Sequence, residues 1–235
     1  MDMNYYIAMT AAEFAGAKQL PSRIGWMACH FSQRGNGISN LPDVLPEGSV
    51  LILDDSRPPA GHDPALIAKQ LAEAVQRLRA ASVILDFQDP DNTETAAIAA
   101  HLVGTLPCPV CVAAPYAVSL PCPVLVPPPP PHKHLQDWLT PWEGRQIWLE
   151  AALEAERITV TEQGSRVSPL PFTQLEEGCF TEERLFCRYR IREYADRVEF
   201  TLMRDRELLI KLLANAKKLG VHQSVGLYQQ LGTFI

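Results

Sequence analysis

Two apolar runs in this chain end abruptly in side chains that hold or move protons. Ser82-Val83-Ile84-Leu85 gives way to Asp86-Phe87-Gln88-Asp89, and Ser49-Val50-Leu51-Ile52-Leu53 gives way to Asp54-Asp55. Runs without polar alternation are the mark of strands buried on both faces, and in a parallel barrel such strands deliver their last side chains to the rim where ligands bind. Carboxylates gathered at one rim suit general acid-base chemistry. A carboxamide two residues after an Asp shares its side of the strand, where it exchanges hydrogen bonds but has no titratable proton to give. The plainer reading of Asp54-Asp55 is a solvated loop start with one Asp making a turn.

Further candidates stand at other strand exits. His30 closes the strand-like run of residues 23–31, where a lone histidine serves either a ligand or a hydrogen-bonded scaffold. Glu150 lies within the run 146–152 among apolar neighbours, a setting that raises a carboxyl pKa and fits a substitute acid; a salt-bridged core Glu is the alternative. Trp142 is an aromatic that could stack on a flat ligand, while Trp138, at helical spacing from Leu135 and Leu139, fits packing.

The elements that would carry these residues follow a strand-then-helix rhythm. Strands are expected near residues 5–9, 23–31, 49–53, 81–86, 110–114, 123–126 and 146–152. Thr10 with Glu13 makes a capping box for a first helix. Asp63-Pro64 opens a second, with Ile67, Leu71, Val75 and Leu78 on one face. Asp91 with Glu94 opens a third, with Gly104 near its stop. Asp205, Lys217, Lys218 and Gly220 bound the last long helix. Between the seventh strand and that helix the pattern changes: Arg188, Arg190 and Arg192 alternate with Tyr189 and Ile191, as in an antiparallel hairpin. The expected fold is therefore α/β, a (β/α)8 TIM barrel formed by residues 1–235 as one domain, with residues 158–203 as a β-rich excursion between strands 7 and 8.

Composition bounds the function. With 235 residues, 47% of them apolar, the chain can close one such barrel, and a formal net charge of -6 argues against a nucleic-acid surface. The first ten residues lack a basic segment and a long apolar run, so a cytoplasmic protein with no membrane span is expected. Cys29, Cys111 and Cys187 sit in apolar runs and read as buried thiols of a reducing compartment. Cys108-Pro109-Val110-Cys111 has redox spacing, but it leads into a strand where a redox pair would open a helix. Cys122, His132 and His134 make only a loose metal set. No cofactor or metal is expected. The glycine-bearing loop 32–37 lacks a phosphate-loop lysine and reads as a turn. Pro127–Pro131 must leave the sheet, either as a stiff rim loop or as a docking segment for a protein partner.

Residues 81–88 resemble the fourth-strand motif of glycoside hydrolase family 18, the chitinase and spore-cortex peptidoglycan hydrolase family, which reads Asp-x-x-Asp-x-Asp-x-Glu. Here those places hold Ala81, Ile84, Asp86 and Gln88. Residues 198–232 resemble the family's closing strand, helix and strand, with Tyr228 in the place of the aromatic that floors the sugar pocket. Ala114-Pro115-Tyr116 resembles its fifth-strand exit. The Tyr-Asp pair of its sixth strand has no counterpart here, since prolines occupy that place.

The resemblance implies a substrate-assisted mechanism in which the sugar's own N-acetyl oxygen attacks, outside the two-carboxylate scheme. It makes Asp86 the residue that orients the amide and puts Gln88 in the place of the general acid. General acid catalysis contributes about a hundred- to ten-thousand-fold, so its loss would leave binding with little turnover. Three functions stay open. The first is a barrel that binds an N-acetylated oligosaccharide, such as a bacterial cell-wall-derived glycan, through Asp86, Gln88, Tyr228 and rim residues including His30, Tyr116, Trp142 and Asp89. The second is an active glycosidase with a relocated acid from Asp54, Asp55, Glu150 or Asp89. The third is a non-enzymatic interaction scaffold.

Overall fold

The computed structural model describes residues 3–33, 37–172 and 179–232; residues 34–36 of the glycine-bearing loop lie outside it. The chain divides into two compact units, one comprising Met1–Pro127, Gly144–Glu150 and Val221–Ile235, the other Pro128–Glu143 and Ala151–Gly220.

In chain order the first strands are β1 (Asn4–Met9), β2 (Ile24–Phe31), β3 (Ile38–Ser39), β4 (Val50–Asp54) and β5 (Ser82–Asp86). They are followed by β6 (Val110–Ala113), β7 (Val124–Val126) and β8 (Ile147–Ala151). Five more, β9 (Glu154–Thr161), β10 (Gly164–Leu170), β11 (Phe180–Glu182), β12 (Cys187–Glu193) and β13 (Val198–Arg204), precede the last, β14 (Gln223–Leu227).

The first unit holds the barrel. Its strands run in the order β1-β14-β8-β7-β6-β5-β4-β2, and a parallel β1–β2 pairing closes the ring, while the short β3 adds antiparallel to β2. This is the eight-stranded parallel TIM barrel that the strand spacing predicts. Tyr6, Ala8, Val50, Ile52, Ile84, Cys111, Leu125, Trp148 and Val225 fill its interior. Tyr6 and Trp148 stack there with ring centroids 5.2 Å apart. Gly25 lets β2 approach closely, since a side-chain carbon there would meet Ile52 Cδ1 at 3.0 Å and Ala8 Cα at 3.4 Å.

The helices of this unit start where the local chemistry directs. Thr10 and Glu13 form the expected capping box of α1 (Ala11–Gly16). Asp63 accepts from the Ala65 N–H at 2.9 Å and Pro64 is the first residue of α2 (Pro64–Leu78), whose face of Ile67, Leu71, Val75 and Leu78 is buried. The third helix corrects the reading of its ends. Asn92, rather than Asp91, caps α3 (Thr93–Thr105), because its Oδ1 takes the N–H groups of Glu94 and Thr95 at 3.1 Å each. The Asp91 N–H is itself held by Asp89 Oδ1 at 3.2 Å, in a turn ahead of the helix. Gly104 lies inside the helix, which closes at Leu106 in an extended conformation without a left-handed glycine. Ala114, read as strand, opens the short α4 (Ala114–Ala117), since Pro115 has no N–H to continue a ladder.

The second unit holds the antiparallel excursion, larger than the sequence pattern indicated. Its sheet has five strands in the order β10-β9-β13-β12-β11 and spans residues 154–204. The same unit carries α5 (Leu135–Leu139), a 3-10 turn (Thr140–Trp142) and α6 (Arg206–Lys218). Asp205 caps α6 by accepting from the Leu208 N–H at 3.0 Å, and Gly220 at φ +89° follows it as only a glycine does without strain.

Arg204 is fully buried in this unit. It pairs with Glu154 at 3.0 Å and donates to the Pro129 carbonyl at 2.7 Å. His132 Nδ1 meets Glu156 at 2.7 Å. The proline segment is thus tied down by its carbonyls, with Pro129 and Pro131 buried. Cys29, Cys111 and Cys187 are buried free thiols, and burial pushes Cys29 up to about 12 and Cys187 up to about 11. Among the described residues no helix is long and apolar enough to cross a membrane.

Candidate functional site

Three neighbouring strands bring a polar row to the C-terminal rim of the barrel. Asp54 of β4 is the register partner of both His30 on β2 and Asp86 on β5. Asp54 and Asp86 point inward by parity, each two residues beyond an interior side chain, Ile52 and Ile84.

His30 joins them through an irregularity. Between Trp26 and Cys29 strand β2 advances three residues while β4 advances two, from Leu51 to Leu53. The extra residue is a β-bulge, and it reverses the alternation that would otherwise turn His30 outward. Without it Cys29 would occupy the inward place. His30 Nδ1 instead lies 2.8 Å from Asp54 Oδ2 and 2.9 Å from its Oδ1.

Ser56 completes this arm: its N–H donates to Asp54 Oδ1 at 3.0 Å and its hydroxyl binds the same oxygen. The hydroxyl also stands 3.4 Å from His30 Nδ1. A Ser-His-Asp relay would need the hydroxyl and the acid on opposite imidazole nitrogens, so this group is not one.

Asp55 performs a different task. Its two oxygens accept the Gln88 N–H at 3.0 Å each, and Oδ2 also accepts the Asp89 N–H at 3.2 Å. The carboxylate after β4 therefore anchors the turn after β5. Tyr116 holds the other side of that turn by donating its hydroxyl to the Asp89 carbonyl. Behind the polar row runs an aromatic one, His62–Phe31–Phe87–Tyr116, with successive centroids 5.5, 5.8 and 5.9 Å apart.

Gln88 lies past Asp86 on the same side of the strand exit and is exposed. Its Nε2 donates back to Asp86 Oδ1. Burial raises the Asp86 pKa; the Gln88 hydrogen bond opposes this, and the charges of Asp54 and Asp55 add to it. The rim thus offers a carboxyl that favours its proton, two carboxylates held by N–H donors and an imidazole, and a carboxamide able to exchange hydrogen bonds. That set can orient and bind an amide or hydroxyl group, and position 88 has no titratable proton to release.

The other sequence candidates stand on other elements. Glu150 follows Trp148 by two residues on β8, so it shares the interior face, and its charge acts on the buried Cys111 thiol. Tyr228 opens the short α7 (Tyr228–Leu231), with its ring against Gly232. Trp142 belongs to the second unit. Ser56, Arg57 and His62 were not singled out by the sequence reading. Their signal was the polar, proline-rich stretch after Asp55, which reads equally well as an ordinary loop.

The chain matches no family model and no curated protein by sequence. Its architecture does have solved counterparts. The spore cortex-lytic enzyme SleL of Bacillus cereus superposes with a TM-score of 0.56 at 7% identity, over 96% of this chain and 70% of that one. The chitinase of Chromobacterium violaceum gives a TM-score of 0.54 at 9% identity, over 96% of this chain and 93% of that one. The sporulation-specific glycosylase ydhD of Bacillus subtilis gives 0.50 at 8% identity, over 85% and 88%.

The fold is that of chitinases and spore cortex-lytic enzymes. Identity this low speaks to architecture alone. At that level the chitinase-like barrel agrees with the resemblance carried by residues 81–88 and 198–232.

Proposed function

We propose that this chitinase-like barrel binds an N-acetylated, cell-wall-type glycan and cleaves it poorly or not at all. The observation that carries the reading is the Gln88 carboxamide folded onto Asp86 at the rim. Asp86 takes the part of the orienting Asp of the resembled motif, and Gln88 offers a hydrogen-bond donor without a titratable proton. Asp86 receives the acetamido group, Gln88 reaches the glycosidic oxygen, and the turn anchored by Asp55 fixes both.

Calorimetric titration with an N-acetylglucosamine oligomer, paired with product analysis of the same mixture, tests this. Saturable binding with an intact oligomer is expected. No heat and no thermal shift at millimolar ligand would end the proposal.

One observation favours a second reading, an active glycosidase with a relocated acid. Burial raises the Asp86 pKa, as a general acid requires, and Asp54, bonded to His30, is its register neighbour. Turnover of an aryl N-acetylglucosaminide by the native chain, abolished by Asp86→Asn or Asp54→Asn, would favour it over the first.

A further inference from the structure

In the second unit, the hairpin of β9 and β10 carries an open hollow of about 520 Å³ on one of its faces. That volume suits a small molecule. Leu170 is the single apolar side chain of the described lining and no carboxylate belongs to it, so the hollow favours a polar ligand and disfavours a cation.

The strand register sets the chemistry of this face. Arg157 on β9 stands opposite Ser168 on β10, and two residues further along Thr159 stands opposite Arg166. Alternation keeps all four on the same side of the hairpin, and all four line the hollow. Two guanidiniums therefore occupy one diagonal of a square and two hydroxyls the other, with a diagonal backbone spacing of about 7 to 8 Å. Arg166 is exposed, and neither its guanidinium nor the hydroxyls of Thr159 and Ser168 has a hydrogen bond or ion pair among the described residues.

Glu199 of β13 flanks Thr159 on its other side. Its carboxylate accepts from Arg197 at 2.8 Å and stands 3.8 Å from Arg157, beyond hydrogen-bond reach. Further across the sheet the same face carries Arg190 and Arg192 of β12, in register with Thr201 and Glu199. Arg188, which continues their alternation, is taken up by Asp205 and Glu207. The face thus holds more guanidiniums than carboxylates.

We propose that this hollow binds the phosphate of a small, polar phosphomonoester, a sugar or polyol phosphate. It uses no residue of the barrel rim and is independent of the glycan reading. Two guanidinium forks match the nearly two charges that such a phosphate carries at neutral pH, and its three terminal oxygens take up the hydroxyl donors as well. A carboxylate or a sulfate ester brings one charge and leaves one guanidinium without a counterpart. A membrane surface is disfavoured, because the lining offers nothing beyond Leu170 to enter lipid.

Glucose 6-phosphate, glucose 6-sulfate and glucuronate share a ring and differ in the anion, so calorimetric titration of the full native chain with each tests the site without any variant. The phosphate should bind about ten- to a hundredfold more tightly than the other two at pH 7.5, the worth of an added charge-assisted contact. Its affinity should fall at pH 5, below its second pKa of about 6, while that of the sulfate holds. Arg166→Ala should weaken glucose 6-phosphate by about ten- to a hundredfold and leave the Tm unchanged, since Arg166 has no partner among the described residues. Arg192→Ala, on the same face but outside the hollow, should leave the affinity nearly unchanged.

No saturable binding of glucose 6-phosphate at millimolar concentration overturns the site, and so do equal affinities for the three sugars. Equal losses in the Arg166 and Arg192 variants would mark a diffuse field in place of a site. Sedimentation with phosphatidylglycerol vesicles that glucose 6-phosphate does not displace would assign the face to a lipid surface and overturn the proposal. None of these outcomes bears on oligosaccharide binding at the barrel rim, which its own titration decides.

Discussion

The Nε2 of Gln88 donates to Oδ1 of Asp86, the carboxyl two residues back on the same strand exit. A carboxamide here ties the Asp to a donor that stays neutral at every pH, where a Glu would share a proton with it. Restoring a carboxyl at 88 therefore tests the pocket directly. Gln88→Glu should gain hydrolysis of an aryl N-acetylglucosaminide at least about a hundredfold above the native chain, the lower range for a general acid. Chromophore release across pH 4 to 8 reads the outcome. A variant that still binds the oligomer but stays silent would mean that more than the acid has been lost.

Asp86 predicts a pH effect on stability. Burial first, and then the charges of Asp54 and Asp55, raise its pKa above the unfolded value of 3.8 against the pull of Gln88. The folded chain thus keeps this proton to higher pH than the unfolded chain does. The resulting stability is fully present below pH 3.8 and is lost as pH rises through the elevated folded value. Asp86→Asn should then be more stable than the native chain at pH 7 and closer to it at pH 4. Each unit of elevation is worth about 1.4 kcal/mol, and thermal melts at the two pH values would show the gap.

Asp55 anchors the Gln88 and Asp89 amides across two strand exits. Asp55→Ala should cost about 1 to 3 kcal/mol by leaving those donors without their acceptor. It should also speed hydrogen exchange at those two amides and weaken oligosaccharide binding, while Asp55→Asn keeps one acceptor oxygen and loses less. Unchanged exchange at 88 and 89 would contradict the anchoring role.

In the second unit, burial pushes the Glu154 carboxyl up to about 7, more than the neighbouring Arg204 charge pulls it down. Folding takes up a proton between the unfolded value of 4.5 and that figure. Stability should be greater near pH 5 than near pH 8, by on the order of 1 to 3 kcal/mol. Urea midpoints at the two pH values measure this, and Glu154→Gln should flatten the difference.

Arg204 is the opposite case, a buried cation whose bonds run to Glu154 and the Pro129 carbonyl. Arg204→Ala strands Glu154 and that carbonyl and should destabilise by about 3 to 5 kcal/mol. Arg204→Met, which fills the space without the charge, should recover part of the loss but not the Pro129 bond. Denaturant midpoints of the two variants give the comparison.

By itself the sequence determined the barrel, because buried parallel strands leave unbroken apolar runs and helix starts carry their own capping residues. Thr10, Asp63 and Asp205 cap where their chemistry indicates. It also put Asp54, Asp86 and Gln88 at strand exits, since the two-residue alternation of a strand is local. Asn92 was missed because Asp91 satisfies the same local rule, and only the bond geometry separates them.

The tertiary structure alone decided which exits are neighbours in register and which way His30 faces. That direction depends on one extra residue in β2 between Trp26 and Cys29, and a bulge is defined against its partner strand. No run of residues read singly contains that partner. The pairing of Asp55 with the turn after β5, and the packing of the His62 ring against Phe31, are likewise contacts between segments far apart in the chain. They exist only once the barrel has closed and brought those segments together.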